Sequence, residues 1–107
     1  MSAATTVSID RLKDLEAAVH DGRCALVDVR ERHEYEAGHI PLAINRPLSQ
    51  LGSWYGEMDR ERQIIVYCRT SNRSRRCADI LRSRGFTEVY VLEGGYSAWS
   101  RSTAGGR

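Results

Sequence analysis

Several things are scarce in this 107-residue chain, and each scarcity closes off a class of protein. Its longest apolar runs, such as Ala25–Val27 and Ile64–Tyr67, are a few residues each, far short of the ~20 needed to span a bilayer. The N-terminal Met-Ser-Ala-Ala-Thr-Thr has neither a charged nor an apolar segment of the kind a secretory leader carries. Charge of one sign is not in excess: 16 basic residues face 14 acidic ones, a net +2. Such a balance gives no reason to expect nucleic-acid or membrane binding. Lysine is almost missing, Lys13 being the only one, so the basic side chains are arginines and their positions carry the information.

Cysteine is scarce too. Cys24, Cys68 and Cys77 are odd in number and irregularly spaced, which is no disulfide framework. There is no C-x-x-C pair and no Cys/His cluster at zinc-ligand spacing. Free thiols, no metal and no cofactor are predicted, together with a reducing, cytoplasmic setting.

What is present alternates between strand and helix signals. Val7–Ile9 reads as a weak strand, with Asp10 capping a helix whose apolar face is Leu12, Leu15 and Val19. Asp21-Gly22 ends it. Ala25-Leu26-Val27, running into Asp28-Val29, is the continuous apolar run of a buried parallel strand. Glu31–Ala37 reads as a short polar helix stopped by Gly38. Ala43–Asn45 reads as a short strand closed by Pro47, and Leu48–Gly56 as a helical turn that leaves Trp54 more exposed than Trp99. Gln63–Tyr67 is the clearest strand, Ser74–Arg84 a helix with Cys77, Ile80 and Leu81 inward and Gly85 as its stop. Val89–Leu92 is the last strand, and a final helix begins at Tyr96. This order predicts one α/β domain over residues 5–101, a parallel sheet with helices on both faces, and flexible termini at 1–4 and 102–107.

In such sheets ligands bind beyond the carboxyl ends of the strands. Asp28 and Arg30 follow one strand, Cys68 a second, and Glu93–Gly95 a third. The segment Cys68-Arg69-Thr70-Ser71-Asn72-Arg73-Ser74 lies between a buried strand and a helix. A tight strand–loop–helix turn gathers backbone N–H groups into an anion cradle. Arg69 and Arg73 lie in it, Arg75 and Arg76 just beyond, and no acidic residue occurs between Arg62 and Asp79. Cys68 is placed to react as a thiolate, the nucleophilic form of the residue. Cys24, beside an apolar run, and Cys77, on an inner helix face, read as structural, as do His39 and the pairing of Asp28 and Arg30 with neighbours. Gly94-Gly95 reads as turn geometry.

Three segments, in order and spacing, resemble the rhodanese (thiosulfate sulfurtransferase) family in its single-domain form. They are Leu26–Arg30 with Glu34-Tyr35 and Gly38-His39-Ile40-Pro41, the Cys68–Ser74 loop, and Leu92–Trp99. The resemblance spans roughly Thr5 to Ser100. It implies a three-layer fold with a five-stranded parallel sheet. It implies that Cys68 takes sulfane sulfur from thiosulfate or a similar donor as a persulfide and passes it to cyanide or a thiol. Residues 69–74 would bind the anion, with Asp28 and Arg30 as a supporting rim. The partners implied are a small-molecule donor and acceptor, or a protein thiol in a sulfur relay. Ser71 and Leu42 stand where the family commonly has glycine; if Ser71 must adopt φ > 0, the cost is about 1 kcal/mol. Cysteine phosphatases and arsenate reductases use a related loop, but as C-x5-R, whereas Cys68 to Arg73 is C-x4-R.

Overall fold

The computed structural model describes residues 5–105; the predicted flexible segment 1–4 and the last two residues of the predicted flexible segment 102–107 lie outside them. Five strands, β1 (Thr6–Val7), β2 (Cys24–Asp28), β3 (Ile44–Asn45), β4 (Gln63–Tyr67) and β5 (Val89–Leu92), form one sheet in the order β1-β5-β4-β2-β3. Every pairing is parallel, as the alternation of signals implied. The apolar runs predicted for β2, β4 and β5 are the three central strands. Successive side chains of a strand point to opposite faces, and each face has its own core. Ala25, Val27, Ile64, Val66, Val89 and Val91 pack on one face with Trp54, Cys77, Ala78 and Leu81. Leu26, Ile65, Tyr67 and Leu92 pack on the other with Leu12 and Ile40.

The helices are α1 (Ile9–Asp14), α2 (Glu16–His20), α3 (Arg32–Ala37), α4 (Leu51–Trp54), α5 (Asn72–Ser83) and α6 (Gly95–Gly105). The single first helix is broken at Leu15 (φ −95°, ψ 3°). Its cap is Ser8, whose Oγ accepts from the Arg11 N–H at 3.0 Å, and not Asp10. Ser8 wins because the strand stops at Val7, leaving the serine extended just ahead of the first turn. The last helix continues to Gly105, past residue 101, where the domain was expected to end. Trp54 is the buried tryptophan: its indole N–H donates to Pro47 O at 2.8 Å, while Trp99 is only half-buried. An irregular segment can hide a large ring once that one N–H has a partner.

Leu42 is the only non-glycine residue with positive φ among the described residues (φ 74°). Ser71 has φ −158°, ordinary extended backbone. Of the two positions that depart from the family's glycine, the left-handed turn falls at Leu42, in the β3 approach, and the loop after β4 carries no such cost.

Candidate active site

The parallel sheet brings the ends of β2, β4 and β5 to one rim, as anticipated. Cys68 is the first residue beyond β4, and α5 starts four residues later. Its side chain is 1 % exposed, yet it forms part of an open depression of about 520 Å³ with Arg69, Thr70, Asn72, Arg73, Ser97 and Arg101. Cys68 therefore lies at the floor of a bowl. The Ser74 N–H donates to Sγ at 3.4 Å, and the Ser74 hydroxyl lies 3.5 Å from Sγ while donating to Ser71 O at 3.0 Å. The backbone N–H groups of residues 69 to 73 donate to no acceptor among the described residues. Of the backbone N–H groups in the predicted cradle, that of Ser74 is the one that reaches the sulfur among the described residues.

The loop is held from below by α6. The N–H groups of Tyr96 and Ser97 donate to Cys68 O (2.8 Å) and Arg69 O (2.9 Å), and Gly94 N–H donates to Ser71 Oγ (3.3 Å). The first turn of a helix has N–H groups without internal partners, and here the loop carbonyls take them. Fixing those carbonyls on α6 turns the intervening peptide N–H groups away from it. Gly94 (φ 77°) and Gly95 (φ 60°) shape this junction. A Cβ on Gly95 would collide with the carbonyl oxygens of Cys68, Arg69 and Thr70. The glycine pair was legible as a turn; its close packing under the cysteine loop was not.

The charged residues pair differently from expectation. Arg73, predicted to attract an anion, makes a two-pronged bridge to Glu34 of α3 at 2.8 and 3.1 Å. Its charge is already compensated. Those hydrogen bonds hold the Glu34 carboxyl at about 2, against partial burial. A carboxylate so depressed stabilises the fold above its unfolded pKa of ~4.3, and the contribution fades as pH falls toward the folded value. Because both side chains are partly open to water, the bridge should be worth about 1 kcal/mol. We expect Glu34→Gln to lower stability by that amount at pH 7. The gap from wild type should narrow between pH 4.5 and 2 in urea titrations.

Neither Asp28 nor Arg30 lines the depression over Cys68 itself, although Arg30 lines the one beside it. Asp28 is fully buried and Arg30 nearly so; they bond to each other through three contacts of 2.8–3.1 Å. The Arg30 N–H also donates to Asp28 Oδ1 at 2.9 Å, and Arg30 Nη2 to Gly38 O at 2.6 Å. The guanidinium sits 4.3 Å from the Tyr96 ring centroid. Arg30 thus ties β2, the α3 terminus and α6 together, and Asp28 lies behind it. The structural pairing expected for them is present, each being the other's partner.

Cys24 and Cys77 are buried free thiols. Burial raises both, Cys77 to about 12, so neither supplies a thiolate. His39 stacks on Tyr35 (3.8 Å, 9°), with Nδ1 2.9 Å from Tyr35 O, a structural role as read. Arg75 and Arg76 are both exposed. Sequence reasoning missed Arg101, which α6 brings to the bowl from 33 positions beyond Cys68. The only available signal was its spacing four residues after Ser97, on the same helix face. Among the described residues no three His, Cys, Asp or Glu side chains gather as metal ligands. No helix there is long and apolar enough to cross a membrane.

Comparison with known proteins agrees with this geometry. A family described as "Rhodanese-like domain" matches residues 11–102. The uncharacterized protein YqhL of Bacillus subtilis (strain 168) is 46% identical over 77 residues, which are 72% of this chain and 61% of YqhL. The chain thus spans about three fifths of that relative's length. Among solved structures, the human single-domain sulfurtransferase TSTD1 aligns with a TM-score of 0.79 and 32% identity, covering 92% of this chain and 97% of TSTD1. The rhodanese-like domain of the Anabaena sp. Alr3790 protein aligns with a TM-score of 0.81 and 28% identity, covering 94% and 76%.

Proposed function

Since the chain belongs to the rhodanese-like domain family, we propose that it is a sulfurtransferase carrying sulfane sulfur as a persulfide on Cys68. One observation carries this reading: a cysteine at the floor of an open bowl, with the Ser74 N–H aimed at its sulfur, in a loop whose other N–H groups have no backbone acceptor among the described residues. A buried anion is tolerated only where hydrogen bonds replace its water. The loop offers donors for that purpose and no carboxylate lines the bowl.

The reaction has two steps. The Cys68 thiolate attacks the outer sulfur of thiosulfate or a related donor. A new S–S bond forms, the donor's own S–S bond breaks, and sulfite departs with the bonding electron pair. Cys68 then bears a terminal sulfur with the negative charge. A nucleophilic acceptor, cyanide or a thiolate on a small molecule or protein, bonds to that sulfur, and the electrons of the Cys68 S–S bond return to the cysteine. The loop N–H groups stabilise the charge at each stage. Arg69, exposed at the mouth, attracts the anionic donor. Transfer through a covalent intermediate implies ping-pong kinetics. The chemistry needs a reduced thiol, consistent with a cytoplasmic setting.

Intact-protein mass spectrometry after incubation with thiosulfate tests the assignment. The reduced protein is expected to gain one sulfur atom and lose it on addition of cyanide. A folded, reduced protein that takes up no sulfur from thiosulfate or from a persulfide donor would refute it.

A further inference from the structure

The bowl over Cys68 is not isolated. A second open depression, of about 580 Å³, adjoins it and shares Arg69, Ser97 and Arg101 with it. This second space runs toward His33 and Ala37 of α3 and is also lined by Tyr96 and Ser100. The two together make a trough. Each part is within the ~300–1,000 Å³ range that accommodates organic ligands of small-drug size, more room than thiosulfate fills.

The charges along the trough are unequally engaged. Arg30 is bound to buried Asp28, and Glu34 is bound to Arg73. Arg69 and Arg101 have no acidic partner among the described residues. They are the two residues, with Ser97, that belong to both depressions. Their placement follows from the backbone. The Ser97 N–H holds Arg69 O, so that face of α6 abuts the loop. Arg101, four residues on, projects from the same face. The hydroxyls of Ser97 and Ser100 add neutral donors beside the two guanidinium groups.

We propose that Arg69 and Arg101 form an anion-binding subsite, at the edge of the Cys68 bowl where it opens into the second depression, that holds the carboxylate end of a small thiol or persulfide serving as the sulfur carrier. The inference rests on the Cys68 persulfide reading and adds the identity of the carrier: anionic, and long enough to reach from the sulfur into the trough. Arg101 is a binding and specificity residue; the bonds made and broken remain at Cys68.

Binding can be measured without any sulfur transfer. The probe is S-methylglutathione, an unreactive carboxylate-bearing thioether, titrated into the protein and followed by heteronuclear NMR. It is expected to bind wild type and Cys68→Ser alike, and its dimethyl ester to bind at least about fivefold more weakly. Arg69→Gln and Arg101→Gln should each weaken the dicarboxylate by about three- to fivefold, as for an exposed charge pair. Neither should change the ester's affinity, and Arg101→Lys should recover most of the loss. Both arginines are exposed, so their replacement should leave the fold intact, which the same spectra report. No binding, equal binding of acid and ester, or affinity indifferent to Arg101→Gln would overturn the subsite. Failure of Cys68 to take up sulfur would instead overturn the persulfide reading, and it is read in a separate measurement.

Discussion

Replacing Cys68 by serine is expected to abolish persulfide formation and to reduce thiosulfate-to-cyanide transfer by at least about a thousandfold, since loss of the nucleophile of a covalent mechanism removes the pathway itself. The hydroxyl of serine is close in size to the thiol and has Ser74 in reach, so the fold should persist. Circular dichroism of the variant should therefore match wild type. Cys77→Ser and Cys24→Ser make the contrast. Both thiols are buried and held protonated by that burial, and their replacement should alter stability with turnover largely kept. Transfer that survived in Cys68→Ser but vanished in Cys77→Ser would move the chemistry elsewhere.

The second large effect is expected at Gly95, and it is one of stability. At φ 60° a non-glycine residue carries a cost of about 1–2 kcal/mol. The added Cβ would also meet three loop carbonyls at once, backbone atoms that no rotamer change can move aside. Overpacking of this kind costs about 1–3 kcal/mol. Gly95→Ala should thus destabilise the protein by about 3–4 kcal/mol, a fall in Tm of roughly 15–25 °C for a domain of this length. Whatever folds should also be slow in sulfur transfer, because the only relief is to push residues 68–70 away from α6 and disturb the cradle. A Tm within a few degrees of wild type would mean that the loop is not clamped as described. Gly52 is the control: a Cβ there meets nothing within 4 Å.

Much of this was legible because it is local. The continuous apolar runs of β2, β4 and β5 mark strands buried on both faces, and Cys68 follows one of them directly. The stop at Gly85 and the turn at Gly94-Gly95 are consequences of φ > 0, which glycine alone adopts without cost. What escaped is what the chain decides at a distance. Arg73 and Glu34 are 39 residues apart, and nothing in either neighbourhood says they meet. Arg30 had two acidic candidates nearby, Asp28 and Glu34, and took the one whose burial leaves it no other cation. Arg101 depends on the angle at which α6 leaves β5. Trp54 is hidden by a carbonyl seven residues away. Each depends on how elements pack and not on how they form. The break at Leu15 is different: it is local, but the i, i+3, i+7 pattern continues straight through it.

The shortness of the outer strands has a consequence for association. β1 and β3, which flank the sheet, are two residues each. The three long strands that would make good templates for another chain are therefore interior, hydrogen-bonded on both sides. A neighbouring polypeptide seeking to extend this sheet would find only a pair of residues in register at either border before the backbone turns away. That is too little to nucleate a cross-strand ladder. The domain thus has a built-in resistance to edge-to-edge aggregation.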